Sequence, residues 1–223
     1  ISDVHSNLLA LTAVLEDMEE RGVERIVSAG DVVGYNPFPN EVVSLFIKRD
    51  ILSVMGNHDW AIVNDDYSNL NWLSTATDPW NRERLTQEHL EWLGKLPESL
   101  YLELEMLTMR VFHGGPSHID QRIWHSEWGQ QDMDRLDSHL LMVGHTHIPF
   151  VKSFSDGGGA FNPGSVGQPR DKNPLASYGI LTVNDEKWKY ENIRIPYDID
   201  SVKYQFVKEG LPVDGFARLY GGE

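Results

Sequence analysis

The sequence has no cysteine, few basic residues and no long apolar run. Without cysteine, disulfide scaffolds, thiolate metal sites and cysteine nucleophiles are excluded, and a reducing, cytoplasmic compartment fits. The chain has 19 basic against 34 acidic residues, a net charge of −15, so nucleic acid and anionic membranes are disfavoured as partners. We expect no membrane association, because no apolar segment approaches a membrane span and the first residues do not resemble a secretory signal.

The chain length of 223 residues predicts one domain over 1–223, with enough chain for a substantial core. Hydrophobic residues make up 40% and charged residues 24%, which is typical of a folded globular protein rather than a disordered one. The chain opens on Ile1-Ser2, which reads as the end of a buried strand. We therefore expect a few further residues upstream of Ile1.

Short apolar runs alternate with amphipathic segments in the first part of the chain. Helices are predicted at 7–20 and 39–48, and buried strands at 25–29 and 51–55. Because strands and helices alternate, this order predicts a parallel sheet with covering helices. Residues 60–98 break the rhythm with four tryptophans, and we interpret them as a helical cap insertion with helices at about 68–76 and 86–94.

The second half of the chain is rich in predicted strands. Residues 101–105 and 109–112 are expected to form a hairpin. Further strands are predicted at 140–143, 149–154, 178–183 and 188–195, followed by a closing helix at 198–208.

Polar residues follow five of the predicted strands, at the point where each strand ends. They are Asp3 and His5, Asp31, Asn57 with His58 and Asp59, His113, and His145 with His147. Open α/β sheets bind ligands at the carboxyl ends of their strands. We therefore expect these side chains at one end of the sheet.

This set of side chains has the chemistry of a metal centre. Unprotonated imidazoles and carboxylates are ligands for divalent metals, and one carboxylate can bridge two ions. His145 and His147 can turn onto the same ion or serve one ion each. Two neighbouring ions can activate a bridging hydroxide and clamp a phosphoryl group for in-line attack. Oxygen and nitrogen ligands without thiolates admit manganese, iron, zinc, cobalt or nickel.

The blocks Asp-x-His, Gly-Asp, Gly-Asn-His-Asp, His and Gly-His-x-His occur in this order along the chain. In this pattern the sequence resembles the calcineurin-like metallophosphoesterase superfamily over essentially its whole length. The stretches 30–41 and 162–170 are similar to a small prokaryotic branch of phosphodiesterases and diadenosine-tetraphosphatase-like enzymes. The resemblance implies an α/β fold, a two-sheet α/β/β/α sandwich with the ions at one edge.

The resemblance also implies a role for each motif residue. One ion would be held by Asp3, His5, Asp31 and His147, and a second by Asp31 as the bridge, Asn57, His113 and His145. His58 would donate a proton to the leaving oxygen, and Asp59 would orient His58. Manganese or iron is the expected native metal.

We therefore expect a two-metal phosphoesterase that acts on a phosphodiester or a (di)nucleoside polyphosphate. Arg170 could clamp a phosphate oxygen through its guanidinium, and Tyr35 and Asn57 are further candidate substrate contacts. Asp59 can equally cap a helix, and Arg170 can equally be an ordinary surface residue. The tryptophan-rich insertion could stack on bases or support a homo-oligomer.

Three other functions stay open. An inactive scaffold or binding protein exists within the family as a retromer subunit that lacks the catalytic histidine, whereas His58 is present here. A nuclease would use the same chemistry but needs a basic groove. A protein phosphatase would need a segment for docking a peptide, and none is evident. The loop 114–128 could line a substrate pocket or serve packing alone.

Overall fold

The computed structural model describes all residues, 1–223, and contains eight helices and nine strands. The helices are α1 (Leu8–Glu20), α2 (Pro39–Lys48), α3 (Asn57–Asn64), α4 (Trp72–Arg84), α5 (Gln87–Leu93), α6 (Gln130–Leu136), α7 (Ile199–Lys208) and α8 (Val213–Gly221). The strands are β1 (Val27–Ser28), β2 (Leu52–Ser53), β3 (Ser99–Leu104), β4 (Leu107–Phe112), β5 (Leu140–Met142), β6 (Phe150–Ser153), β7 (Gly159–Asn162), β8 (Ala176–Asn184) and β9 (Lys187–Ile195). None of these helices combines the length and apolar character that crossing a membrane requires.

The first sheet is built around the segment 1–3 at the start of the chain. On one side the backbone N–H of Ala29 donates to the carbonyl of Ile1, which joins the segment to β1, and β1 pairs in parallel with β2. On the other side Val166 N–H donates to the carbonyl of Ser2. Ser177 in β8 donates its backbone N–H to the carbonyl of Ser165, and this hydrogen bond joins the β8–β9 hairpin to the sheet.

The second sheet has the strand order β3-β4-β5-β7-β6. Its three central strands β4, β5 and β7 run parallel, so their carboxyl ends lie at one edge. The edge strands β3 and β6 are antiparallel to their neighbours. The predicted hairpin of 101–105 and 109–112 is present as β3–β4, with its turn at 105–106.

The two sheets face each other across an apolar layer that includes Val111 and Phe161. Helices α1 and α2 cover the outer face of the first sheet, where Val14 and Phe46 are buried. Helix α6 places Met133 against the outer face of the second sheet. Each fully buried side chain of this size contributes about 1.5–3 kcal/mol. The layers are therefore α/β/β/α, and the predicted two-sheet sandwich is confirmed.

The structure differs from the predicted elements in two respects. The helix expected at 68–76 begins later, at Trp72, because the Asn71 side chain accepts the N–H groups of Leu73 and Ser74 and caps α4 there, and it continues beyond 76 to Arg84. Four elements, α3, α6, β7 and α8, were not among the predicted helices and strands. Strand β7 has only four residues, and α6 buries a single residue, so neither has a recognisable apolar pattern.

Candidate active site

The strand ends meet at one edge of the sandwich and bring together all the residues that were predicted as metal ligands. These are Asp3 and His5 after the segment 1–3, Asp31 after β1, Asn57 after β2, His113 after β4, and His145 and His147 after β5. All are buried except His145, which is half-buried. A parallel arrangement of strands therefore converts five separate loops into one polar site.

A first cluster consists of Asp3, His5, Asp31 and His147, whose ligand atoms all lie within 4.8 Å of one another. His147 Nε2 is 3.2 Å from Asp3 Oδ1, and His5 Nε2 is 3.5 Å from Asp31 Oδ2. The two imidazole Nε2 atoms are 3.3 Å apart. Two carboxylates and two imidazoles thus converge on one small volume.

The hydrogen bonds of the two histidines fix their tautomers. His5 Nδ1 donates to the carbonyl of Val33 at 3.2 Å, and His147 Nδ1 donates to that of Gln168 at 2.6 Å. A carbonyl only accepts, and burial lowers the pKa of both histidines well below the usual range, so both Nε2 atoms carry lone pairs. Oδ1 of the buried Asp3 has no hydrogen-bond partner. The cluster therefore fits a divalent cation among these atoms.

A second cluster consists of Asp31, His113 and His145, joined by the amide of Asn57. Asn57 Oδ1 is 2.9 Å from His113 Nε2 and 3.0 Å from His145 Nδ1. Burial disfavours the charged form of His113, but Asp31, Asp3 and the hydrogen bond to the Ala29 carbonyl together outweigh burial and raise the pKa of His113 to about 9. Burial, with His113 as the next cause, lowers the pKa of His145 to about 3. At neutral pH the cluster thus pairs one protonated imidazole with the Asp31 carboxylate, and a bound cation could take the place of the proton.

Asp31 belongs to both clusters. Its Oδ2 atom is 3.2 Å from His113 Nε2, while Oδ1 accepts the backbone N–H of His58 at 2.9 Å. A Cβ atom at Gly56 would lie 2.1 Å from Asp31 Oδ1. Only glycine therefore allows the strand end at 56 to approach this carboxylate so closely.

Five of the cluster residues hold a left-handed backbone conformation that is rare outside glycine. Their φ angles lie between 49° and 64°, and they are Asp3, His5, Asp31, His145 and His147. Such a conformation costs on the order of 1–3 kcal/mol per residue and persists only where the surrounding structure enforces it. Strain concentrated at one set of side chains points to a functional site.

His58 lies beside the first cluster, with its ring centroid 4.8 Å from that of His5. Its Nδ1 atom is 2.6 Å from Oδ2 of Asp78, and both side chains are buried. Burial opposes protonation, but the charges of Asp78 and Asp31 outweigh it and raise the pKa of His58 to about 10. His58 is therefore a protonated imidazole at neutral pH.

Asp59 has different partners from those predicted. Its carboxylate accepts the backbone N–H groups of Val32, Val33 and Gly56 at 2.9–3.2 Å and makes no hydrogen bond to His58. Asp59 thus ties together the loops after β1 and β2 and caps the start of α3, whereas the carboxylate that is hydrogen-bonded to His58 is that of Asp78. Burial of three N–H groups without an acceptor would be costly, which explains a buried carboxylate here.

Asp78 was missed by sequence reasoning, although α4 carries a signal. Four polar residues on one face of α4 are fully buried, and we call them the polar stripe of α4: Ser74, Thr77, Asp78 and Asn81. Polar residues at the spacing of a buried helix face need partners elsewhere in the fold. The stripe could therefore have indicated that α4 packs on a polar site.

Tyr35 and Arg170, the predicted substrate contacts, lie next to each other. The Tyr35 hydroxyl accepts from Asn71 Nδ2 at 2.6 Å and from Arg170 Nη2 at 3.2 Å, and its ring packs against His5 and His58. Tyr35 is thus a buried wall of the site. Arg170 is half-buried, and its Nε–H has no hydrogen-bond partner, so this guanidinium retains a donor for a ligand.

A cavity of about 600 Å³ adjoins the second cluster and touches Asn57 and His113. Trp60 lines it, as does His118 from the loop 114–128, whereas Trp128 of that loop is buried in the apolar layer under α6. Among the lining residues no lysine or arginine occurs, and three are acids: Asp66, Glu98 and Asp120. The space beside the candidate metals is therefore negative and partly apolar.

Known proteins match the chain over most or all of its length. The family model described as "Calcineurin-like phosphoesterase superfamily domain" matches residues 1–186. The uncharacterized protein MJ0912 of Methanocaldococcus jannaschii is 36% identical over 238 aligned residues, which cover 100% of this chain and 96% of that protein. Phosphodiesterase YfcE of Escherichia coli K12 is 29% identical over 191 residues, 81% of this chain and 84% of YfcE.

Among solved structures, a metallophosphoesterase from Sphaerobacter thermophilus is similar with a TM-score of 0.82 and 35% sequence identity. The match covers 100% of this chain and 97% of that one. The likeness therefore extends to the strand ends where both clusters lie.

Proposed function

The chain belongs to the calcineurin-like phosphoesterase superfamily, and from this premise we propose that it hydrolyses small phosphodiesters at a centre of two divalent ions. It is a metal-dependent phosphoester hydrolase of the small prokaryotic branch. The proposal rests above all on the two buried ligand clusters that share Asp31. When bound, two ions supply activation of water for attack on phosphorus and neutralise charge on the phosphoryl oxygens.

In this proposal two sets of residues hold the ions, and Asp31 belongs to both. The first set is Asp3, His5, Asp31 and His147, and the second is Asp31, Asn57, His113 and His145. Oxygen and nitrogen donors suit manganese or iron, and zinc, cobalt and nickel are accepted by the same donors.

His58 serves as the general acid. With Nδ1 directed at Asp78, its Nε2–H is the donor left for the leaving oxygen of the ester. The raised pKa of about 10 keeps this donor protonated at neutral pH. Arg170 and Asn57 would contact the phosphoryl oxygens, since a guanidinium and an amide N–H both donate to them.

The cavity beside the second cluster favours one substrate class over another. Its acids, with no basic residue among them, would repel a polyphosphate chain, whereas an uncharged group fits beside Trp60. A diester with an uncharged organic group is thus favoured over a dinucleoside polyphosphate. The name of the relative YfcE, phosphodiesterase, agrees with this choice. The net charge of −15 also disfavours a nuclease.

The proposal treats 1–223 as a single domain in which about 60–98 form a helical cap beside the site. Trp60 and Leu70 of this segment line the cavity, and Asp78 contacts His58. The cap would thus contribute both to the substrate pocket and to the catalytic histidine.

A panel of esters tests the proposed function. Protein reconstituted with Mn²⁺ is assayed with bis(p-nitrophenyl) phosphate, p-nitrophenyl phosphate, a nucleoside p-nitrophenyl phosphodiester and diadenosine tetraphosphate. We expect metal-dependent turnover, fastest on the diesters. Absence of turnover on every ester, with two ions bound per chain, would contradict the proposal and favour a binding protein on this fold.

A further inference from the structure

His58 and Asp78 form a buried pair, and Asp78 lies outside every motif identified in the sequence. We propose that Asp78 is a positioning residue for His58, and that helix α4 thereby supplies one half of the proton-donating pair. The inference rests on the proposed function, in which His58 is the general acid. It is carried by the contact of 2.6 Å between Asp78 Oδ2 and His58 Nδ1.

The carboxylate of Asp78 is itself held in place. Its Oδ1 atom accepts the backbone N–H of Tyr35 at 3.0 Å and the hydroxyl of Thr77 at 3.2 Å, so only Oδ2 is directed at His58. A Cβ atom at Gly34 would lie 3.0 Å from His58 Nδ1 and 3.2 Å from Asp78 Oδ1. The backbone at 34 therefore packs closely against the pair and leaves little room for water.

This contact determines which nitrogen of His58 is free to react. An ionised carboxylate can only accept a hydrogen bond, so the proton shared with Asp78 resides on Nδ1. The ring is further held by the neighbouring rings of His5 and Tyr35, at 4.8 and 4.7 Å between centroids. Nε2 is thus the nitrogen that gives its proton to the leaving oxygen. Without Asp78, either nitrogen could carry the remaining proton after transfer.

The polar stripe of α4 also fixes the position of Asp78 relative to the loops that carry the predicted metal ligands. Asn81 Oδ1, one turn further along the helix, accepts from the Ser6 hydroxyl at 2.7 Å and from Gly34 N–H at 3.3 Å. Asn81 Nδ2 donates to the carbonyl of Asn36 at 3.2 Å. Helix α4 is therefore registered against the two loops that follow the segment 1–3 and β1, which places its carboxylate at His58.

Kinetics with two classes of ester tests the role of Asp78. Asp78→Asn keeps the shape of the side chain but removes its charge, and Glu83→Gln removes a charge from an exposed position of the same helix. For Asp78→Asn we expect kcat on an alkyl diester, a poor leaving group, to fall about 100-fold to 10,000-fold. On bis(p-nitrophenyl) phosphate, whose leaving group needs little protonation, we expect a fall of less than about tenfold. Glu83→Gln should match the wild type on both esters.

A double variant separates positioning from a general structural effect. If Asp78 acts only through His58, adding Asp78→Asn to His58→Ala should cause no further loss on the alkyl diester. An equal loss on both classes of ester, or a loss that adds to that of His58→Ala, would overturn the proposal. Metal content and thermal unfolding are measured on every variant.

A spectroscopic measurement on the wild type keeps the test independent of turnover. In zinc-loaded protein with ¹⁵N-labelled histidine, we expect a downfield Nδ1–H proton resonance, assigned by its loss in His58→Ala. An unprotonated Nδ1 in His58 would overturn the proposal directly. If no ester is turned over but this resonance is present, the proposed function fails while the pairing stands.

Discussion

The Nε2 atoms of His5 and His147 face each other across 3.3 Å, while both Nδ1 atoms donate to backbone carbonyls. Two lone pairs at this distance repel each other unless a cation lies between the rings and the nearby carboxylates. The metal-free protein should therefore be less stable than the metal-loaded protein.

We expect bound metal to raise the melting temperature. A ligand present at 100 times its Kd stabilises the folded state by about 2.7 kcal/mol, which for a chain of this size corresponds to about 5–10 °C. The measurement is thermal unfolding after chelation and after addition of Mn²⁺. His147→Ala should show a smaller metal-induced rise, and equal melting temperatures of the wild type with and without metal would contradict the expectation.

Asp31→Asn should remove at least one ion, because it takes the negative charge from the only carboxylate that both clusters share. Removing a residue that binds the ion directly should weaken binding more than removing an outer-shell partner of a ligand. Removing such a partner lowers metal affinity or activity about 10–100-fold. The check is metal content by elemental analysis. Asp120→Asn, which removes a charge from the neighbouring cavity, is the matched control. Two tightly bound ions in Asp31→Asn would refute the bridging role.

Metal binding at the second cluster should release a proton at neutral pH. The pKa of His113, raised to about 9 by Asp31 against the effect of burial, means that the metal-free imidazole is protonated at pH 7. A metal ligand must be deprotonated, so affinity should rise with pH up to about 9 and the release of about one proton should vanish above it.

Calorimetric titration in two buffers of different ionisation enthalpy measures this proton. At pH 7.5 the observed binding enthalpy should differ between the buffers for the wild type. His113→Ala, with no proton to release, serves as the control and should show a smaller difference. A wild-type enthalpy that does not depend on the buffer would contradict the assignment.

The residues that the structure brings together in the two clusters could be predicted because each signal is local. Asp31 follows a buried strand directly, with Gly30 before it, and His145 follows another in the same way. The carboxyl ends of parallel strands must share an edge. The position of each residue at the end of its own strand was therefore enough to predict that these side chains lie close together. The layers of the sandwich were accessible for the same reason, since strand and helix order restricts the topology.

Asp78 could not be predicted in this way, because its contact depends on how α4 packs. It lies 20 residues beyond His58, and the Asp78-Pro79 pair is typical of the end of a helix, whereas α4 continues through it to Arg84. The family resemblance implied that Asp59, which is adjacent to His58 in sequence, would orient this histidine. Neighbours in sequence at the start of a helix point in different directions, which is why Asp59 is directed at the backbone of Val32 and Val33 instead.

Trp60→Ala should weaken binding of diesters that carry a nucleoside. Trp60 is 41% exposed and lines the cavity, and stacking of a base on an aromatic ring is worth about 1–3 kcal/mol. We expect KM for a nucleoside p-nitrophenyl phosphodiester to rise about 5-fold to 150-fold, with little change for methyl p-nitrophenyl phosphate. Trp72→Ala, an exposed tryptophan outside the cavity, is the control. Equal effects on both esters would contradict stacking of the base on Trp60.

Gly56→Ala and Gly94→Ala form a matched pair that tests how closely the strand ends must approach. A methyl group at Gly56 would lie 2.1 Å from Asp31 Oδ1 and 2.2 Å from the Asp31 backbone nitrogen, so the carboxylate or the backbone must move. A methyl group at Gly94 would meet its nearest neighbour, the Leu90 carbonyl oxygen, at 3.4 Å, an ordinary contact. We expect Gly56→Ala to lose bound metal and to unfold at lower temperature. Gly94→Ala should keep its metal and gain about 0.4–1 kcal/mol, because alanine restricts the unfolded chain. The measurements are metal content by elemental analysis and thermal unfolding of both variants. Full metal content in Gly56→Ala would show that Asp31 tolerates displacement.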